Sequence, residues 1–584
     1  MKRFIQRCIR LIAEPILQNQ VWFIFMYILL SISNLMIAYN GSRVMGMLQL
    51  FLELYSVSLI LTLFPLRARR ILKFILSFAA YIICAIDIYC IGKLRTPINP
   101  TLLNTFLQTN SNEASEALYS YIDVHSILLL LIPFILAALH LFTTFRYIKD
   151  IDSFAHRHSE ATGLGTALII LLSSCCIKNE IYLFHRLIIG NDEKETFIAT
   201  GHEPTVRFYT SLHRMAHSLI EIKRERKAIL HLQETLTRSH VDSCSFTSPN
   251  IVLIIGESYN RHHSELYGYD KNTTPFQAQY KKEGNLFTFS DAVAQWNLTS
   301  DVFRTLLSTH VNESNGEWHQ YPLFTTLFRE AGYDVTFISN QYIQELSDTY
   351  SDFNENLLIN DVSMSNAQFN RRNTQRHTYD EGIIEEYSAM DKEDNSRGKL
   401  TIFHLMGQHV DFSNRYPEEW EKFDASMYDN RKHEERQIIS HYDNATLYND
   451  YILHRIVDLF KNDDAIIIFI SDHGERTCDD GNGFGRSFSL SKGDVEQQYE
   501  IPMWVYITDT YRRQHPEMTQ DIVNSVNKPI CTDNIAHMLL YIGGIHTPCY
   551  DSRYNPLAKE FDSSLPRIIN GEHNYDTLTK QWHQ

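Results

Sequence analysis

The chain has 584 residues, which is enough for several domains. Its 53 Lys+Arg against 69 Asp+Glu give a formal net charge of −16, which argues against a nucleic-acid-binding protein because such proteins need a basic surface. Apolar residues make up 44% and charged residues 21%, a composition that excludes general disorder.

The charge is distributed unevenly along the chain. Residues 1–190 hold 16 Lys+Arg and 10 Asp+Glu, whereas the remaining residues hold 37 and 59. The sequence therefore divides into an apolar, weakly basic front and a more polar, acidic back.

The front contains five apolar runs. The first is uncharged over 19 residues, and the fifth is the shortest. The runs are Val21–Tyr39, Met47–Leu66, Ile71–Ile91, Val124–Phe142 and Ala161–Ile177. A bilayer requires about 17–25 apolar residues per helix. We therefore predict a five-span transmembrane domain over residues 1–180, rather than a buried helical core or a cleaved signal peptide.

The basic residues predict how these spans are oriented. Lys and Arg cluster at the N-terminus and in the loops after the second and fourth spans. Because such clusters mark cytoplasmic loops, an odd number of spans places everything after about residue 180 outside the cytoplasm.

The loop after the third span contains a short polar pattern. Thr105, Thr109 and Glu113 are four residues apart, so on a helix they share one face. This pattern predicts either a polar stripe near the outer membrane surface or an ordinary solvated helix face.

Residues 181–245 form a bridge between the two parts. Within it, Thr205–Arg238 has apolar residues at helical spacing with basic residues interleaved. Such a helix either lies on the membrane surface or packs as a connector against the next domain.

Residues 246–584 have the pattern of an α/β domain. Five apolar runs are typical of strands buried on both faces of a parallel sheet. They are Asn250–Gly256, Tyr333–Ser339, Leu400–Leu405, Ala465–Ser471 and Met503–Ile507. Helical stretches such as Pro322–Ala331 and Ala445–Phe460 lie between them. This alternation predicts a doubly wound α/β/α sheet.

Chemically active side chains follow three of these runs. Glu257 follows the first, His409 comes shortly after the third, and Asp472 and His473 follow the fourth. Ligands bind at the carboxyl ends of parallel strands, and Asp, Glu and His together suit zinc or manganese. A single Asp-His pair is usually structural, but the occurrence at three strand ends predicts a metal site.

The cysteines indicate nothing further about this site. The back of the chain holds Cys244, Cys478, Cys531 and Cys549, for which three pairings are possible. No CxxC or zinc-finger spacing is present, so a metal would use other ligands.

Several motifs around these residues resemble the alkaline-phosphatase-like phosphoethanolamine transferases. They are Gly256-Glu257-Ser258, Leu266-Tyr267-Gly268-Tyr269, Thr273-Thr274-Pro275, Arg415-Tyr416-Pro417, Tyr442-Asp443-Asn444 and Ser471-Asp472-His473-Gly474-Glu475. The resemblance implies a protein of the Gram-negative inner membrane with a periplasmic catalytic domain of the alkaline-phosphatase/sulfatase fold. It implies transfer of phosphoethanolamine from phosphatidylethanolamine to lipopolysaccharide.

The resemblance also implies roles for individual residues. Thr299, in the stretch Trp296–Asp301, matches the family's nucleophile, with Ser300 as the rival. On spacing alone, either hydroxyl would only cap a helix. Glu257, Asp472, His473 and the Thr299 oxygen match the zinc ligands. His409 resembles a histidine near the transferred group and is the candidate acid or base.

The sequence departs from the best-known members of the family shortly after the motif Ser471-Asp472-His473-Gly474-Glu475. Where those members have a further His in a Leu-His-Gly setting, this chain has Gly483-Phe484-Gly485-Arg486. This departure resembles the branch that modifies core heptose rather than the one that modifies lipid A. It leaves the acceptor open and implies one zinc ion, with a second in question. Arg486 is a candidate phosphate ligand or a surface arginine.

Two further expectations concern contacts with substrates. In the family, a stripe like Thr105, Thr109 and Glu113 contacts the donor headgroup. His262 and His263 follow the metal Glu closely, and we expect both to be surface residues with a modest chance of contacting the acceptor.

Two other functions fit the same sequence. A phosphoglycerol transferase has a similar plan of Glu, Thr, Asp and His at a metal. A catalytically silent membrane scaffold is the other, although the intact set of Glu257, Thr299, Asp472 and His473 argues against it.

Overall fold

The computed structural model describes most of the chain. The described residues are 2–36, 42–94, 97–100, 103, 124–147, 158–185, 187, 209–342, 356–390, 397–428, 431–479, 484–485, 490–571 and 573–582. The chain forms two compact units, Met1–Arg224 and Glu225–Gln584. The first is called the membrane unit below and the second the catalytic unit.

The described residues of the membrane unit are mostly helical. Its α-helices are Lys2–Leu17, Gln20–Met36, Ser42–Thr62, Leu66–Tyr89, Val124–Arg146, Ser159–Ser173 and Ile177–Phe184, followed by the start of Ser211–Arg238. Four helical stretches are long and apolar enough to cross a membrane, and there are five if the bent pair Phe4–Leu17 and Gln20–Met36 counts as one span. Each predicted span overlaps one of these helices in the described residues.

The helix Lys2–Leu17 was not predicted. Its apolar residues are interleaved with Lys2, Arg3, Arg7 and Arg10, so a search for uncharged runs passes over it. It meets the next helix at an angle of 66°.

A buried ion pair lies inside the membrane unit. Asp87 is 0% exposed and Arg214 is 4% exposed, and the guanidinium donates to both carboxylate oxygens. The backbone N–H of Ile98 donates to Oδ1 of Asp87 at 2.9 Å. Since a charge in apolar surroundings is costly unless it is paired, this contact holds the start of the helix Ser211–Arg238 against the helix Leu66–Tyr89.

We expect Asp87→Asn to lower the free energy of unfolding by about 3–5 kcal/mol, because it leaves the Arg214 charge buried without its counter-ion. Denaturant unfolding of the full chain in detergent measures this loss. Glu160→Gln is the matched control, because it removes an exposed ion pair. The side chain of Glu160 is 41% exposed and that of its partner Arg10 is 62% exposed. That control is expected to cost less than about 1 kcal/mol, and equal losses in the two variants would contradict the prediction.

The catalytic unit is built on a seven-stranded sheet. In chain order its strands are β1 Asn250–Gly256, β2 Leu286–Phe289, β3 Tyr333–Ser339, β4 Arg371–Arg372, β5 Gly398–His404, β6 Ala465–Ser471 and β7 Met503–Ile507. Their order across the sheet is β2-β7-β6-β1-β5-β3-β4. Strands β6, β1, β5, β3 and β4 are mutually parallel, whereas β7 is antiparallel to both of its neighbours.

The sheet is covered by helices on both faces. Alternate residues of β1 point to opposite sides, so Leu253 and Ile254 belong to two separate apolar clusters. The helices on the Leu253 side are Thr299–Leu307, Phe324–Glu330, Val362–Gln368, Asp509–Gln514, Pro516–Ser525 and Ile535–Gly543. Those on the Ile254 side are Pro275–Glu283, Glu381–Ala389 and His433–Phe460. Lys492–Tyr499 and Tyr575–Trp582 pack in a smaller cluster.

The predicted α/β/α fold is confirmed, with two differences. Strands β2 and β4 were not predicted, because they are short edge strands without a long apolar run. Strand β7 was assigned to a parallel sheet but runs antiparallel. Its residues are fully buried, and burial on both faces produces the same continuous apolar pattern in either direction.

Candidate active site

The site lies where β1 and β6 end side by side. The two strands pair in parallel register, with Gly256 opposite Ser471. Glu257 and Asp472 are the next residues, so both leave the sheet at the same edge. The predicted meeting of the two strand ends is present in the structure.

Three potential metal ligands converge at this edge. One ligand atom each from Glu257, Asp472 and His473 lies within 4.8 Å of the others, and all three residues are fully buried. Nε2 of His473 lies 3.3 Å from Oδ2 of Asp472 and 3.6 Å from Oε1 of Glu257. Among the described residues, no other group of three His, Cys, Asp or Glu side chains has this spacing.

The hydrogen bonds determine which atoms face the centre. Nδ1 of His473 donates to the carbonyl of Gly474 at 2.7 Å, so Nε2 carries a lone pair. Oδ1 of Asp472 accepts from the backbone N–H groups of Ser258 and His473, but its buried Oδ2 has no hydrogen-bond partner in the described structure. Without a cation, burial and the neighbouring Glu257 carboxylate raise the pKa of Asp472 well above its usual range. Converging lone pairs and an unpartnered buried oxygen fit a metal ion.

The hydroxyl of Thr299 lies against the same group of ligands. Thr299 is the first residue of the helix Thr299–Leu307, and its Oγ1 donates to Oε2 of Glu257 at 3.0 Å. The same oxygen lies 3.3 Å from Nε2 of His473. Thr299 is 8% exposed while the three ligands are 0% exposed, so it is the member of the group that solvent reaches.

Two supporting residues were not predicted from sequence. Ser258 has a left-handed backbone, with φ of 56°, and its hydroxyl donates to Oε1 of Glu257 at 2.6 Å. Nε2 of Gln341 donates to Oε2 of Glu257 at 3.1 Å. Gln341 lies two residues after the end of β3. A search for polar residues after every predicted strand, including this one, would therefore have found it. Both donors stabilise the Glu257 carboxylate in its ionised form.

The loop carrying His409 packs against Glu257. The backbone N–H of Gln408 donates to the carbonyl of Glu257 at 3.1 Å, which joins the loop after β5 directly to the segment that carries the metal-site carboxylate. Gly407 has φ of +46°, and a Cβ at this position would lie 3.0 Å from the carbonyl oxygen of Glu257, so only glycine fits the approach. His409 follows Gln408 and is partly buried. Its role as acid or base stays a prediction.

The other predicted residues have different outcomes. Thr105, Thr109, Glu113 and Arg486 lie outside the described residues. The expectation that His263 lies on the surface is wrong, because its side chain is 1% exposed and contacts two carboxylates. His262 is 44% exposed and contacts Glu500 at 2.9 Å. All nine cysteines, which lie in described residues, carry free thiols.

Comparison with known proteins agrees with this fold. The sulfatase family model matches residues 249–545, which is half of the chain, and residues 55–186 match the model described as phosphoethanolamine transferase EptA/EptB. The chain therefore belongs to the sulfatase family. The predicted resemblance to the phosphoethanolamine transferases within this superfamily is confirmed.

Individual relatives match over most of their length. Phosphoethanolamine transferase CptA of Salmonella typhimurium is 26% identical over 580 residues, covering 96% of this chain and 95% of the relative. Phosphoethanolamine transferase EptC of Escherichia coli K12 is 27% identical over 504 residues, 82% of each chain. The structure of the integral membrane protein EptA from Neisseria meningitidis is 15% identical, with a TM-score of 0.52 over 94% of this chain and 97% of that one, and shows the shared fold.

We expect Asp472→Asn to reduce the bound metal of the purified full chain to less than about a tenth, because it removes a charged ligand from a buried centre. Elemental analysis after exhaustive dialysis measures the metal content per chain. Asp450→Asn is the matched control, since Asp450 is also fully buried but accepts its hydrogen bonds from Phe276 and Gln277. Full metal content in Asp472→Asn, or equal loss in both variants, would remove Asp472 from the ligand set.

Proposed function

We propose that this chain transfers phosphoethanolamine from phosphatidylethanolamine to a sugar or phosphate of lipopolysaccharide, through a covalent intermediate on Thr299. The observation that carries the proposal is the Thr299 hydroxyl, which lies at a helix N-terminus against Glu257 and His473. The names of the relatives support the transferred group, and one relative is named Kdo(2)-lipid A phosphoethanolamine 7''-transferase.

We propose one zinc ion at this centre, held by Glu257, Asp472, His473 and the oxygen of Thr299. Tetrahedral coordination by nitrogen and oxygen ligands is typical of zinc. When bound, zinc lowers the pKa of a coordinated hydroxyl and offsets negative charge on phosphoryl oxygens. The stretch Gly483-Phe484-Gly485-Arg486 contains no histidine. A second metal ion would therefore lack the histidine that the best-known members have at this place.

The first step forms the covalent intermediate. Oγ1 of Thr299 attacks phosphorus and gives up its proton, the Thr299–phosphorus bond forms, and the bond between phosphorus and the diacylglycerol oxygen breaks. The diacylglycerol oxygen takes up a proton as it leaves. Glu257 Oε2, which accepts the Thr299 hydrogen bond at 3.0 Å, is placed to take the proton. We propose that the N–H groups at the start of the helix Thr299–Leu307 stabilise the negative charge on the phosphoryl oxygens.

The second step transfers the group to the acceptor. An acceptor oxygen attacks phosphorus, the bond to Thr299 breaks, and the hydroxyl regains its proton. We propose His409 as the acid or base of one of these steps. Because each step displaces a group from the opposite side of phosphorus, two steps retain its configuration.

The membrane unit fits lipid substrates. Its helices are long and apolar enough to span a bilayer, and both the donor and the acceptor are membrane lipids. We propose five spans in the bacterial inner membrane, with the catalytic unit in the periplasm. We also propose that Thr105, Thr109 and Glu113 contact the donor headgroup and that Arg486 contacts a phosphate.

We expect Thr299→Ala to lower donor cleavage at least about 1,000-fold, because it removes the nucleophile. The assay offers the purified full chain phosphatidylethanolamine or phosphatidylglycerol, each with a fluorescent acyl chain, and follows labelled diacylglycerol. Ser300→Ala is the matched control: it removes the neighbouring buried hydroxyl and is expected to keep the wild-type rate.

Each outcome of this assay has a distinct meaning. Cleavage at the wild-type rate in Thr299→Ala, with loss in Ser300→Ala, would transfer the nucleophile role to Ser300. Release from phosphatidylglycerol alone would indicate a phosphoglycerol transferase instead. A bound metal without transfer, when lipopolysaccharide is added as acceptor, would favour the catalytically silent scaffold.

A further inference from the structure

A buried histidine, His263, contacts two carboxylates. Nδ1 of His263 lies 2.6 Å from Oδ1 of Asp443, and Nε2 lies 2.7 Å from Oδ2 of Asp479. The His263 side chain is 1% exposed. The Thr477 hydroxyl lies 2.8 Å from the same Nε2 and donates to Oδ2 of Asp479 at 2.8 Å, so its oxygen is free to accept from Nε2. Because an ionised carboxylate only accepts hydrogen bonds, each ring nitrogen carries a proton when it contacts its carboxylate. These contacts together favour an imidazolium ion.

The charges around His263 are balanced. Asp443 is fully buried, and its second oxygen accepts from the hydroxyls of Tyr269 at 2.8 Å and Tyr428 at 2.5 Å. Asp479 also contacts the guanidinium of Arg431 at 3.3 Å. Burial by itself disfavours a charged imidazole, but the two carboxylates outweigh it and raise the pKa of His263 to about 10. Two anions thus face two cations.

This charged group joins the two segments that supply the metal ligands. His263 lies six residues after Glu257, and Asp479 lies six residues after His473. A second contact runs in parallel, since Nδ2 of Asn260 donates to the carbonyl of Glu475 at 3.1 Å. The pairing of β1 with β6 holds the two segments together on the N-terminal side of the ligands. The contacts of His263 and Asn260 hold them together on the C-terminal side.

The third element in this arrangement is the helix His433–Phe460. It supplies Asp443 and the adjacent Tyr442, whose hydroxyl accepts from the N–H of Asn260 at 2.7 Å and donates to the carbonyl of Ser258 at 2.6 Å. The proposed reaction gives no role to the motifs that contain Tyr269 and Tyr442-Asp443. The contacts described here give these residues a structural role beside the segment that follows Glu257.

We propose that His263 is a positioning residue of the metal centre. Its charged contacts to Asp443 and Asp479 hold the segment after Glu257 and the segment after His473 at a fixed separation, so that Glu257, Asp472 and His473 meet at one point. The inference rests on the proposed function only in placing a metal at this site.

The test measures zinc affinity of the full chain in detergent by competition with a chromogenic chelator. We expect His263→Gln to weaken zinc binding about 10–100-fold, the usual effect of removing a residue that orients metal ligands. His537→Gln is the matched control, because His537 is also buried, at 2% exposure, but donates to the carbonyl of Thr309 away from the ligand segments. It is expected to leave zinc affinity unchanged.

Two further readouts separate positioning from a general loss of stability. The visible spectrum of the cobalt-substituted protein reports ligand geometry, and we expect it to change in His263→Gln but not in His537→Gln. The double variant His263→Gln/Asp443→Asn removes the buried carboxylate that loses its cation, because Asp479 keeps Arg431. We expect this double variant to bind zinc more tightly than His263→Gln alone. If His263→Gln does not fold, Asp443→Asn replaces it in the affinity and spectral measurements.

Wild-type zinc affinity and an unchanged cobalt spectrum in His263→Gln would overturn the inference, as would equal effects in His537→Gln. These outcomes are distinct from failure of the proposed reaction. A wild-type protein that binds zinc but cleaves no donor lipid, with weaker zinc binding in His263→Gln, would remove the reaction and keep the positioning role.

Discussion

The parallel pairing of β1 with β6 is the contact on which the site depends. Backbone hydrogen bonds set Gly256 opposite Ser471, and this register decides that Glu257 and Asp472 leave the sheet together. A shift of one residue would turn the side chains of a strand to the opposite face and separate the ligands. The apolar residues of both strands are buried on both faces, which specifies the register strongly because any shift would expose or misplace them.

Electrostatics then decides what this edge can hold. Two carboxylates and an imidazole lone pair lie together without solvent, an arrangement that repels itself unless a cation is present. Ser258 and Gln341 donate hydrogen bonds to the Glu257 carboxylate, and the Thr299 hydroxyl donates to the same carboxylate. Outside this centre, the His263 group balances its own charges, because His263 and Arg431 face Asp443 and Asp479.

The membrane unit follows the same rule. Its apolar helices supply length and hydrophobicity, and the ionised Asp87 is tolerated because Arg214 and the N–H of Ile98 satisfy it. The first turn of the helix Ser211–Arg238 supplies Arg214, so one buried charge pair specifies where the start of this helix packs within the membrane unit. Apolar contacts among helices alone would specify that position less strictly, because they are not directional.

The sequence by itself determined the class of the protein. Long apolar runs predict membrane helices, continuous apolar runs predict buried strands, and residues after those strands predict the ligands Glu257, Asp472 and His473, since each signal is local. The position of Thr299 came from resemblance, because a helix-capping threonine looks the same in sequence as a nucleophile. Only the tertiary structure decided that β7 runs antiparallel, that Gln341 contacts Glu257 and that His263 is buried between Asp443 and Asp479. These facts depend on contacts between residues about 30 to 220 positions apart, and the periodicity of a single segment carries no information about such partners.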